Sequence, residues 1–155
     1  PAEPAAEKLA RIVRETHGRG GHVIIPSFAI GRVQELLYIL SNLRRAGKIP
    51  AMPIYLDSPM GAKATDIFTA HPDWHRLGRE EVDGFCRDTE VVETRPESVK
   101  IMRSEAPAIV IAGSGMVTGG RVLHHLAARL PDEKNCVVLV GYQAAGTRGR
   151  LLREG

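Results

Sequence analysis

The chain has 155 residues, of which 43% are hydrophobic, 25% charged and 5% aromatic, with a formal charge of +3. That is the size of one domain able to bury a core without disulfides, and its balance is that of an ordinary globular protein. No apolar run is as long as a membrane span. No basic-then-apolar leader opens the chain. The two cysteines, Cys86 and Cys136, lie outside any Cys-x-x-Cys or Cys/His cluster, which excludes a disulfide framework and favours a reducing, cytoplasmic compartment. So small a charge does not by itself imply a nucleic-acid partner. The excess of Arg over Lys suits phosphate but also a GC-rich genome, so only the positions of single arginines bear on function.

Residues 7–16 carry Leu9, Ala10, Ile12 and Val13 at helical spacing, and the glycines at 18, 20 and 21 end that helix. A strand follows at Val23, Ile24 and Ile25. Residues 31–46 form a strongly amphipathic helix on Val33, Leu36, Leu37, Leu40 and Leu43, stopped by Gly47 and Pro50. A short strand at 53–56 leads into a helix at 60–70. Residues 71–89 are charged and aperiodic, which predicts surface loop with short helical pieces. A strand at 91–94, a helix opened by Pro96 as its first residue, a strand at 109–112, a helix at 122–130, a strand at 137–140 and a last helix at 148–153 complete the chain. The strands have no polar alternation, so both their faces are buried. The expected fold is α/β with three layers, a mostly parallel, Rossmann-like sheet flanked by helices.

Four of the strands run into turns of small residues that are followed by a basic residue. These are Ser27 leading to Gly31-Arg32, Asp57-Ser58 to Gly61-Ala62-Lys63, Gly113-Ser114 to Gly119-Gly120-Arg121, and Gly141 to Gly146-Thr147-Arg148. In a parallel sheet such turns share the edge where α/β folds bind ligands, and helix N-termini there suit phosphates. The turn at 113–121 nearly matches two phosphate loops and fits neither. As a P-loop it has Arg121 and Val122 in place of Lys and Ser/Thr. As a dinucleotide fingerprint it has Thr118 in place of the third glycine.

Arg32 opposes the dipole of its own helix, so its charge needs another partner, either a ligand or Asp57 on the neighbouring strand end. Asp57 and Ser58 could face an active site, or act as cap and ion-pair partner. Tyr142 could stack on a base, and Arg148 could touch phosphate. The six histidines read as ordinary, partly exposed residues; the pair His71 and His75 has zinc-binding spacing but carries Pro72 between them and lies in a loop-like stretch. No Gly-x-Ser-x-Gly elbow is present. The residues alone leave open a nucleotide- or phosphometabolite-binding α/β module, a structural lid, and one half of a composite site.

Four segments in order resemble the β-CASP domain, the insert of metallo-β-lactamase-fold nucleases related to the polyadenylation cleavage factor. They are Pro26-Ser-Phe-Ala-Ile-Gly-Arg-Val-Gln-Glu-Leu-Leu37, Ile54-Tyr-Leu-Asp-Ser-Pro-Met60, Ala112-Gly-Ser-Gly-Met-Val-Thr-Gly-Gly-Arg121 and Gly141-Tyr-Gln-Ala-Ala-Gly-Thr147. Members of that family often carry Glu where this chain has Ala145. The resemblance implies that residues 1–155 are one β-CASP domain excised from a larger protein, a zinc-dependent ribonuclease involved in RNA processing. The chain would then partner RNA and the metallo-β-lactamase domain of the same protein, with no membrane. Zinc would be held by residues outside it, so it would contain no catalytic or metal-binding residue and be inactive alone. Carried over by position, Ser27, Arg32, Ser114, Gly115, Arg121 and Thr147 are the expected contacts to RNA or to the active site, with Arg148 beside them.

Overall fold

The structure is a computed structural model and describes residues 2–155. The chain alternates helices and strands: α1 (Ala5–Gly18), β1 (Val23–Pro26), α2 (Arg32–Arg45), β2 (Ile54–Asp57), α3 (Pro59–Ala70), α4 (Arg79–Asp88), β3 (Thr89–Val91), α5 (Arg95–Arg103), β4 (Ile109–Ala112), α6 (Val122–Arg129), β5 (Cys136–Val137) and α7 (Arg148–Glu154). The five strands form one sheet in the order β3-β2-β4-β1-β5, and every pairing is parallel. The fold is therefore the three-layer α/β sheet expected. Among the described residues no helix is long and apolar enough to cross a membrane.

Strand alternation divides the core in two. Val23 and Ile25, Ile54 and Leu56, and Ile109 and Ile111 face the layer containing α1, α2 and α4, where Val13, Leu37, Leu40 and Phe85 meet them. Ile24, Val110 and Ala112 face Val122 and Leu126 of α6, with Ile101 of α5 alongside. The chain steps outward from β1 to β2 and β3 with its helices on the first face. It then returns to place β4 between β1 and β2, with α5 and α6 on the second face. Right-handed crossovers require that change of face when the direction of travel reverses. The turns after β1 and β2 thus diverge from the turn after β4, and a crevice opens between them.

Four local readings needed correction. Residues 79–88, expected as surface loop with short helical pieces, form the single ten-residue helix α4, because Val82 and Phe85 one turn apart are buried and everything else on the helix is polar or small. Gly84 lets the Arg45 guanidinium lie across that helix, and Ser41 donates to Asp88 at 2.6 Å. The strand expected at 91–94 starts earlier, at Thr89, because it continues directly from α4. The last strand is shorter than expected and stops at Val137, with one further bond from Val138 N–H to the Ile24 carbonyl. In this register the next donor from β1 to β5 would be residue 26, and Pro26 has no N–H. Helix α5 also begins one residue early, at Arg95, on a box in which Thr94 and Glu97 cap each other.

The opposite edge of the sheet is held by Arg129, which donates to the terminal carbonyls of α5 at Ile101 (3.0 Å) and Ser104 (2.6 Å). A cation suits that helix end. Next to it His22 is buried, not partly exposed, and among the described residues neither ring nitrogen has a hydrogen-bond partner. Burial, reinforced by the Arg129 charge, pushes the His22 imidazole down to about 4. The unfolded chain takes up that proton near 6.5, so stability is full above that pH and declines as pH falls towards 4. Between pH 7.5 and 5 the loss expected from this group is about 2 kcal/mol. Denaturant unfolding across that range should show the decline in the wild type and little of it in His22→Phe; equal slopes in the two proteins would refute the assignment.

Candidate nucleic-acid interface

The register of the sheet places Pro26, Ala112 and Asp57 side by side at its carboxyl edge. The turns that follow them begin at Ser27, Gly113 and Ser58 and line an open depression of about 490 Å³. Phe28 and Met60 form part of its wall, and Arg121 closes one side.

Each turn is shaped from within. After β1, the buried amide of Gln34 accepts from Gly31 N–H at 2.7 Å and donates to the Ala29 carbonyl at 3.1 Å and the Thr65 hydroxyl at 2.9 Å, tying the turn to α3. Ser27 is buried and donates to the Phe28 carbonyl at 3.1 Å. Ser58 is the N-cap of α3 and accepts from Gly61 N–H at 3.0 Å, with Pro59 following as the first helical residue. After β4, the Ser114 hydroxyl accepts from Thr118 N–H at 2.9 Å and Gly119 N–H at 3.1 Å, closing the turn on itself. Thr147 caps α7 through Arg150 N–H at 3.3 Å. The C-terminal segment is fastened by the fully buried Gln143, which donates to the carbonyls of Gly115 (2.9 Å) and Gly141 (3.1 Å). Gly115 and Gly141 lie flat against the Phe28 ring, where a Cβ on either would come within 2.9 Å of it.

Asp57 is the centre of the site. Alternation along β2 puts Ile54 and Leu56 on the first face and Asp57 on the second, where α5 and α6 bring three donors to it. Arg121 Nη1 donates to Oδ1 at 2.6 Å, His125 Nε2 donates to Oδ2 at 2.6 Å, and the Ser98 hydroxyl donates to the same Oδ2. Asp57 is 0% exposed. Burial pushes its carboxyl up, but the hydrogen bonds from His125, Ser98 and Arg121 together outweigh burial and hold it below the usual carboxylate range. An ionised Asp57 accepts only, so the proton of that bond sits on His125 Nε2. Ser98 and His125 meet on one carboxylate oxygen and do not bond each other, so the three residues do not form a nucleophile–base pair.

The sequence candidates divide accordingly. Asp57 lies beneath the depression, spent on ion pairing. The Arg32 charge goes to Glu35 at 2.8 Å, not to Asp57 as the competing expectation had it. Ser27, Ser58, Ser114 and Thr147 stand at the edge with hydroxyls engaged in their own turns. Tyr142 is 72% exposed, and Arg148 is exposed on the last helix. Sequence reasoning missed Ser98 and His125. The four-residue spacing of Arg121 and His125, which puts both on one face of α6, was the available signal.

A second depression, of about 480 Å³ between α2 and α3, is apolar, and its polar members Gln34 and Glu35 are already engaged. Among the described residues no group of three or more His, Cys, Asp or Glu is placed so that it could hold a metal ion.

The Beta-Casp domain family matches residues 33–152. The transcription termination factor FttA of Methanocaldococcus jannaschii is 39% identical over 160 residues, covering 99% of this chain and 25% of that protein. Ribonuclease TTHA0252 of Thermus thermophilus is 38% identical over 158 residues, covering 96% of this chain and 36% of that protein. An RNase J-like protein of M. jannaschii is 40% identical over 157 residues, covering 100% of this chain and 36% of that protein. The chain thus spans between a quarter and just over a third of these relatives.

The turn after β4 depends on Gly120, whose φ is +75° and whose Cβ, if present, would stand 2.4 Å from the Gly113 carbonyl oxygen. Gly119 has open space around it. Denaturant unfolding should therefore show Gly120→Ala losing more than about 1 kcal/mol and Gly119→Ala changing by less than about 0.5 kcal/mol. Equal losses at the two positions would contradict this account of the turn.

Proposed function

The chain belongs to the Beta-Casp domain family, and from that membership we propose that it is the RNA-holding cap domain of a longer, metal-dependent ribonuclease, inactive when alone. The relatives named for RNA cleavage and for transcription termination, and the fraction of their length that the chain spans, support that reading. The proposal leaves zinc and its ligands to another domain of the same protein, of metallo-β-lactamase fold, and assigns no chemical step to the residues of this one.

One observation carries the positioning role. At the switch point of the sheet, an arginine braced from below closes the side of an open depression whose remaining walls are turn backbone, small side chains and the apolar Phe28 and Met60. That surface accommodates a sugar-phosphate backbone without reading bases, because guanidinium groups and backbone N–H groups contact phosphate regardless of sequence. Arg121 is assigned the principal phosphate contact. Ser114 and Gly115 line the wall, and Arg32, Thr147 and Arg148 are assigned as further RNA contacts outside the depression. The two free cysteines support a reducing, cytoplasmic compartment as part of this reading.

On single-stranded RNA each phosphate contact contributes about 0.7 to the slope of log affinity against log salt. Arg121→Ala should weaken binding equally across RNA sequences and lower that slope by about this amount, as read by fluorescence anisotropy over a salt series. Wild-type affinity and slope in Arg121→Ala would remove it from the interface. The chain alone, purified and supplied with zinc, should leave labelled RNA intact; cleavage that co-purifies with it would overturn the assignment as an inactive cap.

A further inference from the structure

Resting on that reading, we propose that Ser98 and His125 are positioning residues which keep the Arg121 guanidinium available to a phosphodiester by occupying the oxygen of Asp57 that would otherwise capture it. Arginine and carboxylate pair most favourably as two forks, with two parallel N–H···O bonds. Asp57 and Arg121 are not paired that way. Nη1 alone reaches Oδ1, at 2.6 Å, and its other hydrogen is directed at the Val92 carbonyl at 3.4 Å. Among the described residues Nε and Nη2 of Arg121 have no hydrogen-bond partner, although the side chain is only 23% exposed and borders the depression.

The reason lies on the far side of the carboxylate. Oδ2 accepts from Ser98 on α5 and from His125 on α6, and two donors fill the two lone pairs of a carboxylate oxygen. Both donors are buried, at 2% and 1% exposure, so water does not compete for them. The next carboxylate, that of Glu97, is engaged by the N–H groups of Glu93 and Thr94 and makes no ion pair with Arg121. One edge of the Arg121 fork is thus anchored inward while Nε and Nη2 are left as a pair of parallel donors. That pair matches the two non-bridging oxygens of a phosphodiester. Ser98 and His125 touch neither the depression nor a ligand and act wholly through Asp57.

Removing either donor frees a lone pair on Oδ2, and the fork should then close on Asp57. Ser98→Ala is the least disruptive probe, and His125→Leu is the second. His125→Gln keeps an N–H donor and is the conservative control. With the chain and a fluorescein-labelled single-stranded RNA, anisotropy across a salt series should show Ser98→Ala and His125→Leu binding about tenfold more weakly. Their salt slopes should be as reduced as that of Arg121→Ala, and His125→Gln should stay close to wild type. Ser98→Ala combined with Arg121→Ala should bind no more weakly than Arg121→Ala alone, since a positioning residue has nothing left to position. A crystal structure of Ser98→Ala should show two Arg121 nitrogens on Asp57. An unmoved fork in that structure, or additive losses in the double variant, would overturn the positioning role while leaving the phosphate contact intact. If Arg121→Ala itself bound as wild type, the RNA reading would fail, and the inference with it.

Discussion

The carboxylate of Asp57 ties the end of β2 to α5 and α6 through three hydrogen bonds. It leaves the end of β2 on the face opposite the larger part of the core, and it takes donors from α5 and α6 on the other layer. A charge with no exposure is tolerated only when its oxygens are satisfied, and here the three donors together hold Asp57 below the usual carboxylate range against the push of burial. Taking one partner from a buried pair of this kind costs about 3–5 kcal/mol. Beside the Arg129 bonds to the end of α5 and the Ile101 contacts, this side chain therefore fixes Arg121 at the N-cap of α6 and with it one side of the crevice.

The turns above it are built on the same economy of polar groups. The hydroxyls of Ser27, Ser58, Ser114 and Thr147 are absorbed into their own turns, and the amides of Gln34 and Gln143 tie neighbouring turns together. Phe28 fills the space against Gly115 and Gly141, so the wall of the depression is rigid and close to the backbone. Little functional freedom remains at this edge except in its arginines. That arrangement suits a domain that grips a polymer by its backbone, because grip needs fixed charge and a close approach more than it needs reactive groups.

Much of the fold was legible in the chain because its signals are local. The apolar runs at Val23, Ile54 and Ile109, the periodic face of α2 and the stops at Gly47 and Pro50 each speak for their own segment. Helix α4 was not legible, since two buried residues among charges give almost no period and the helix owes its stability to Arg45 and Ser41 on α2. The short β5 was hidden because the missing N–H of Pro26 acts across a strand pairing and not along the sequence. At the site, Arg121 stood out by its place after a glycine turn. Asp57 stood out too, as an ion-pair partner for Arg32, but its pairing with Arg121 did not, because the two are 64 residues apart and the donors that leave Arg121 half free lie on α5 and α6. His125 looked ordinary because a buried histidine is recognised only by what it touches.

The account stands or falls on what meets Arg121. Titrating the chain with single-stranded RNA while following its amide and arginine side-chain resonances by nuclear magnetic resonance tests this most directly. The account predicts that the Arg121 Nε–H signal and the amides from Gly113 to Gly120 shift together and saturate together, with the apolar depression between α2 and α3 silent. Shifts confined to that second depression, or an Arg121 signal that does not move while RNA binds, would contradict it.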